Sequence, residues 1–185
     1  MATCNFGLQA LELGCSNNSG GIITIALASF HAVSGYTGTL DELAAFDFIS
    51  EIQVSGATGT TPFLVWEFAK NGANFTEVKT GTIENGAINY LTTLSLKVPR
   101  RDKAKRNSLA VAGAAYRNLL VLVKDGNSEW NLMGITRGAN LTASSSSSGV
   151  IGDDGTSYDI VITANEPNQM PFILNSAAND VITPL

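Results

Sequence analysis

Apolar and polar residues alternate from Ile88 to Val98, with Leu91 and Thr92 as the exceptions. Ile88, Tyr90, Thr92, Leu94, Leu96 and Val98 fall on one face, and Asn89, Leu91, Thr93, Ser95 and Lys97 on the other. A period of two held this long predicts a half-buried β-strand. The strand-like run before it, residues 75–84, is joined to it by Asn85-Gly86. Asn-Gly suits the type I′ hairpin turn, which needs positive φ at both central residues. The two runs therefore predict a long hairpin over residues 76–98 with one polar, Thr-rich side.

Strand patterns also cover residues 22–27, 47–55, 63–70, 117–124 and 129–136, then 158–163 and 170–174. The run Leu119, Leu120, Val121, Leu122, Val123 is apolar on both sides, which predicts a strand buried on both faces. One helix is expected at 103–116, with Asp102 as its cap and Leu109, Ala112, Gly113 and Tyr116 on one stripe. Residues 32–38 and the five-serine run Ser144–Ser148 read as loops, and 175–185 as a C-terminal tail. About nine strands and one helix predict a mainly β fold. It is an antiparallel β-sandwich or barrel with a long β-hairpin and one flanking α-helix. The 185 residues suit a single domain, with 1–15 as an N-terminal arm. A long strand pair that stays wet on one side can join neighbours through its edges and form a larger sheet.

Composition narrows the function. Charged residues make up 15%, against roughly 25% in an average soluble domain. Ser, Thr and Asn number 16, 17 and 16, so hydroxyls and amides, not charges, keep the surface wet. The formal net charge is -5, which argues against a protein that coats nucleic acid. Five of the eleven basic residues, Arg100, Arg101, Lys103, Lys105 and Arg106, crowd into seven positions with only Asp102 opposing them. The remainder holds 6 basic residues against 15 acidic, a net of -9. The block suggests an electrostatic contact with an acidic partner or with phosphate, or a solvated loop entering a helix.

Catalytic chemistry is thinly supplied. His31 is the only histidine, and no G-x-S-x-G nucleophile motif accompanies it. Cys4 and Cys15 lack the second pair that a zinc site needs, and are expected to be reduced thiols. Asp41-Glu42 carries no further motif, and Asp153-Asp154 sits in a Gly-flanked stretch that reads as a turn. Neither phosphate-binding glycine motif occurs. The expectation is a protein without catalysis, cofactor or metal. No apolar run approaches the ~18–20 residues of a membrane span. The start, Met1 to Asn5, shows no basic region leading into an apolar core, so no secretory signal is expected. Trp66, Trp130, Tyr36 and Tyr158 could form stacking platforms of a glycan or cell-surface binding module, although their strand context favours core packing.

The order of these features resembles the tail tube proteins of tailed bacteriophages, especially those of phages infecting Bacteroidetes-type hosts. The resemblance is carried by Cys15-Ser16-Asn17-Asn18-Ser19-Gly20-Gly21-Ile22, by residues 90–101 (YLTTLSLKVPRR), by residues 120–134 (LVLVKDGNSEWNLMG) and by the spaced residues Asp154, Gly155, Tyr158, Asp159, Ile160, Glu166, Pro167 and Phe172. Together they span residue 15 to about 175. The resemblance implies a virion protein, assembled in the host cytoplasm, that forms a homo-oligomer of hexameric rings stacked into a hollow tube. A hairpin from each subunit would build a continuous inner β-barrel, through which DNA passes without specific binding. Asn89, Thr93, Ser95 and Lys97 would then face the lumen, with Ile88, Tyr90, Leu94, Leu96 and Val98 toward the subunit core. Arg100, Arg101, Lys103, Lys105 and Arg106 would meet acidic patches of neighbouring subunits or rings. Sheath, tape-measure and connector proteins would be further partners, with no membrane. A head–tail connector or stopper is the nearest alternative.

Overall fold

A computed structural model describes residues 19–40, 45–55, 61–82, 86–114, 117–150 and 155–183. Cys4, Cys15, Asp41, Glu42, Asn85, Tyr116, Asp153, Asp154 and the arm 1–15 lie outside the described residues.

The fold is mainly β, as the alternation predicts. Its elements are β1 (Ile22–Ser29), β2 (Val33–Leu40), β3 (Phe46–Val54), β4 (Phe63–Trp66), β5 (Ala73–Thr82), β6 (Ala87–Pro99), α1 (Lys103–Ala112), β7 (Leu119–Asp125), β8 (Trp130–Met133), β9 (Ala139–Ser147), β10 (Ser157–Glu166), β11 (Phe172–Ile173), α2 (Asn175–Val181) and β12 (Ile182–Thr183). Hydrogen-bonded neighbours run β12-β4-β1-β7-β8-β11-β3-β2 in a central sheet and β9-β10-β6-β5 in an outer one. The two share a corner at one bridge, Leu119 with Ala139. Pairing is antiparallel except for the two short parallel pairs β11–β3 and β12–β4.

Two apolar cores follow from this arrangement. Between the sheets, Ile25, Leu27, Val121 and Val123 pack against Leu94, Leu96, Val98, Ile160 and Ile162. On the far side of the central sheet, Ala26, Leu120, Leu122 and Leu132 meet Ile49, Phe63, Ile173 and the α2 residues Ala177, Ala178 and Val181. The β7 strand is thus buried on both faces, which is why its sequence is an unbroken apolar run. The helix α1 lies along the open side of the inter-sheet core, with Leu109 and Ala112 against it.

Four sequence expectations are corrected. Residues 33–38 belong to strand β2, not to a loop. The serine run lies mostly in β9, where Ser144 to Ser147 pair with Ile160 to Ser157. Hydroxyl-rich composition hides such a strand, because the partner ladder and not the side chains makes it extended. The last segment, expected as a tail, is docked: α2 buries its small residues and β12 pairs with β4. The helix α1 is also shorter than expected. Gly113 caps it at Ala112, its N–H donating to the Leu109 carbonyl at 2.8 Å. Where β8 stops, Gly134 takes φ +87°, and a Cβ there would sit 2.6 Å from the Ala139 nitrogen.

Candidate functional site: the wet face and edges of the outer sheet

Residues paired across an antiparallel ladder point to the same face. The register therefore sorts the outer sheet into rows. Asn74, Ser95, Val161 and Ala143 form one row, and Thr76, Thr93, Thr163 and Asn140 the next. Then follow Val78, Leu91 and Asn165, and Thr80 with Asn89. None of these side chains is buried. At the other end Lys97 stands opposite Asp159, the one cation and one acid among the paired rows of this face. Asn89, Thr93, Ser95 and Lys97 all lie on this wet face, as their alternation predicts. Leu94, Leu96 and Val98 lie on the core face, joined by Thr92 at 1% exposure. Ile88 and Tyr90 belong to the same parity but stand near the hairpin tip, and Ile88 is 49% exposed. Among the described residues the surplus acidity is not on this face. Exposed acids such as Asp47, Glu51, Glu67, Glu129 and Asp180 lie on other elements.

The sheet edges differ. On the outer sheet, β5 pairs with β6 through ten successive residues with no register break, and its other edge has no strand partner among the described residues. At the opposite end, β9 meets β7 at only one bridge, so most of its outer edge is also unpaired. On the central sheet, the edge strand β2 breaks register three times against β3, and the edge strand β12 has two residues. Bulges and short edges are how proteins stop strands from recruiting other chains. Those devices mark both edges of the central sheet, whereas on the outer sheet β9 carries one register break against β10 and β5 none against β6.

The basic block is divided by the fold. Asp102 caps α1 by accepting from the Lys105 backbone N–H at 2.7 Å, and this bond holds its carboxyl below the usual carboxylate range. Lys105 turns back, its Nζ donating to the carbonyls of Pro99 (2.7 Å) and Arg100 (3.1 Å) and pairing with Asp102 at 3.7 Å. The Arg101 guanidinium lies over the Tyr158 ring, 5.9 Å from its centroid. Arg106 borders a groove beside β9, and Arg106, Arg100 and Lys103 are all exposed. Lys103, Lys105 and Arg106 occupy the first turns of α1, where the helix dipole disfavours cations.

One organising residue gives no signal in the sequence. Glu166, 4% exposed, accepts from the backbone N–H groups of Thr136 (3.2 Å) and Arg137 (2.9 Å) and so pins the β8–β9 connection. Arg137 in turn donates to Asn89 Oδ1 at 3.3 Å and to the Asn165 carbonyl at 3.4 Å, which ties that corner to the wet face. Nothing in the residues around Glu166 points to this role; only its burial reveals it.

Of the aromatic residues considered as platforms, Trp130 and Tyr158 are buried at 2% and 7%. Trp130 has Lys124 over its ring, and its Nε1 lacks a hydrogen-bond partner among the described residues. Trp66 packs against the inter-sheet core, and Tyr36 stands edge-on to Phe46. His31 is exposed beside Phe30. Among the described residues no group of three His, Cys, Asp or Glu is placed to hold a metal, and no helix is long and apolar enough to cross a membrane. No family model, curated protein or solved structure matches the chain.

Proposed function

We propose that this chain is a structural subunit that joins copies of itself edge to edge through the outer sheet, forming hexameric rings that stack into the hollow tube of a phage tail. The observation that carries the reading is the pair of edges, β5 and most of β9, that have no strand partner among the described residues and flank a wet face with few charges. Strand direction supports it. The three ladders β9–β10, β10–β6 and β6–β5 are all antiparallel, so β9 and β5 run in opposite directions. Rotating a copy about an axis along the strands sets β5 against the neighbour's β9 as one more antiparallel pair. The same rotation keeps every wet face on the same side of the closed sheet.

The number of copies and the phage context come from the resemblance in the sequence. On this reading the wet face, with Asn89, Thr93, Ser95 and Lys97, lines the lumen. A surface of hydroxyls and amides offers a passing DNA few charge contacts, which suits a conduit that must not retain it. Arg100 and Lys103, exposed cations that do not border the groove beside β9, would meet acids of an adjoining copy. The subunit performs no catalysis, and its place is the virion.

Negative-stain electron microscopy of the purified protein at rising concentration tests the reading. Hollow tubes or stacked rings are expected. Closed single rings would favour a head–tail connector, and a monomer at every concentration would overturn self-assembly. Val78→Lys, which adds a charge on the exposed β5 edge, should leave the monomer folded and abolish the tubes.

A further inference from the structure

Two features that stand apart in the sequence, the basic block and the serine run, are brought together by the fold. A groove of about 350 Å³ runs between α1 and β9, lined by Arg106, Leu109, Leu141, Ser144, Ser146 and Tyr158 among others. Arg101, stacked over the ring of Tyr158, places a second guanidinium beside it. Neither Arg101 nor Arg106 has an acidic partner among the described residues, where the ion pair is Lys105 with Asp102. Asp102, the one acid of the block, is committed to capping α1. No hydrogen bond among the described residues occupies the hydroxyls of Ser144, Ser145 or Ser146. No carboxylate of the described residues is part of the lining.

We propose that the α1–β9 groove is a binding site for a phosphate-type oxyanion. Guanidinium forks and hydroxyls are the donors that such a group accepts from. A tetrahedral phosphate can engage both arginines and the serines at once, whereas the two oxygens of a carboxylate lie in one plane and satisfy one fork. The apolar wall of Leu109 and Leu141 beside these donors leaves space for the organic part of a phosphate ester. Ser144 and Ser146 pair with the core-facing Ile160 and Tyr158, so the groove lies on the α1 side of the sheet and not on its wet face. The site belongs to the single subunit and does not depend on assembly.

An NMR titration of dilute full-length protein with inorganic phosphate, at constant ionic strength, tests the proposal. Saturable shifts confined to α1 and β9 are expected, with a dissociation constant on the order of millimolar. R106Q should weaken binding at least ~10-fold, and R101Q and the S144A/S146A pair several-fold, each with a native-like spectrum. A short DNA duplex and free glutamate are titrated in parallel. Saturation by phosphate that R106Q removes upholds the site, and the duplex arm says whether backbone phosphates can supply the ligand. No saturation, an equal response to glutamate, or binding unchanged in R106Q overturns it. Tube assembly is scored separately by microscopy, so failure here leaves the edge-pairing reading to its own test.

Discussion

The central and outer sheets of this protein are made from the same kind of strand and are used in opposite ways. In β1 and β7 both faces are enclosed: Ile25, Val121 and Val123 fill the core between the sheets, while Ala26, Leu120 and Leu122 fill the core beyond. In β6 and β10 one face is enclosed and the other is wet. The first arrangement encloses the middle of β1 and nearly all of β7, so these two strands act as scaffold. The second keeps half its side chains and both its edges available. The bulges of β2 and the brevity of β12 make the same division at the level of backbone hydrogen bonds. On the proposed reading, recruitment of other copies falls to the outer sheet.

The largest effect that would break this comparison comes from a matched pair of truncations. Leu122 is fully buried, and Leu122→Ala should cost about 3–5 kcal/mol, the lost transfer energy plus the cavity left among its neighbours. Thr93→Ala, on the wet face, should stay within ~0.5 kcal/mol. Urea unfolding midpoints at equal m-values measure both. Similar costs at the two sites would mean that the outer sheet is as enclosed as the central one.

A smaller effect is expected where the two sheets are joined. Glu166→Gln keeps the shape of the side chain but removes the charge that draws the Thr136 and Arg137 N–H groups inward. Hydrogen bonds to a charged acceptor contribute ~1.5–3 kcal/mol, so a loss of about 2 kcal/mol is expected. The Arg137 to Asn89 contact should loosen with it, read as changed amide shifts at the hairpin end of β6. A neutral outcome would show that the corner is held by the apolar packing alone.

The contrast also explains what was legible in the sequence. Alternation in β6 and the apolar run in β7 each match one face pattern, and both strands are found where the pattern places them. The cap Asp102 was legible because capping is local, decided within three residues. Strand β9 was not, because its serines have no apolar face to reveal and its extended shape is imposed by β10. The α2 helix was missed for a related reason: seven residues with small apolar positions are too short for a helical period to show. The split of the basic block was equally hidden, since spacing alone does not say that Lys105 folds back while Arg106 borders β9.

The smallest effect concerns the protected edge. Tyr36 lies on β2, packed against the second core, and burial pushes its phenol well above the ordinary tyrosine value, with the Glu166 carboxylate adding to the shift. The native state therefore holds this proton more tightly than the unfolded chain does. Stability from this group is complete below the unfolded value of 10.0 and declines as pH rises from there toward the folded one. Tyr36→Phe removes the titration while keeping the ring against Phe46. Near neutral pH the variant should differ from the parent by less than ~1 kcal/mol. Above about pH 10 the parent should lose stability faster than the variant, so that denaturation midpoints converge or cross. Parallel curves for the two proteins would show that the phenol is open to solvent, and that the β2 edge is less closed than its bulges suggest.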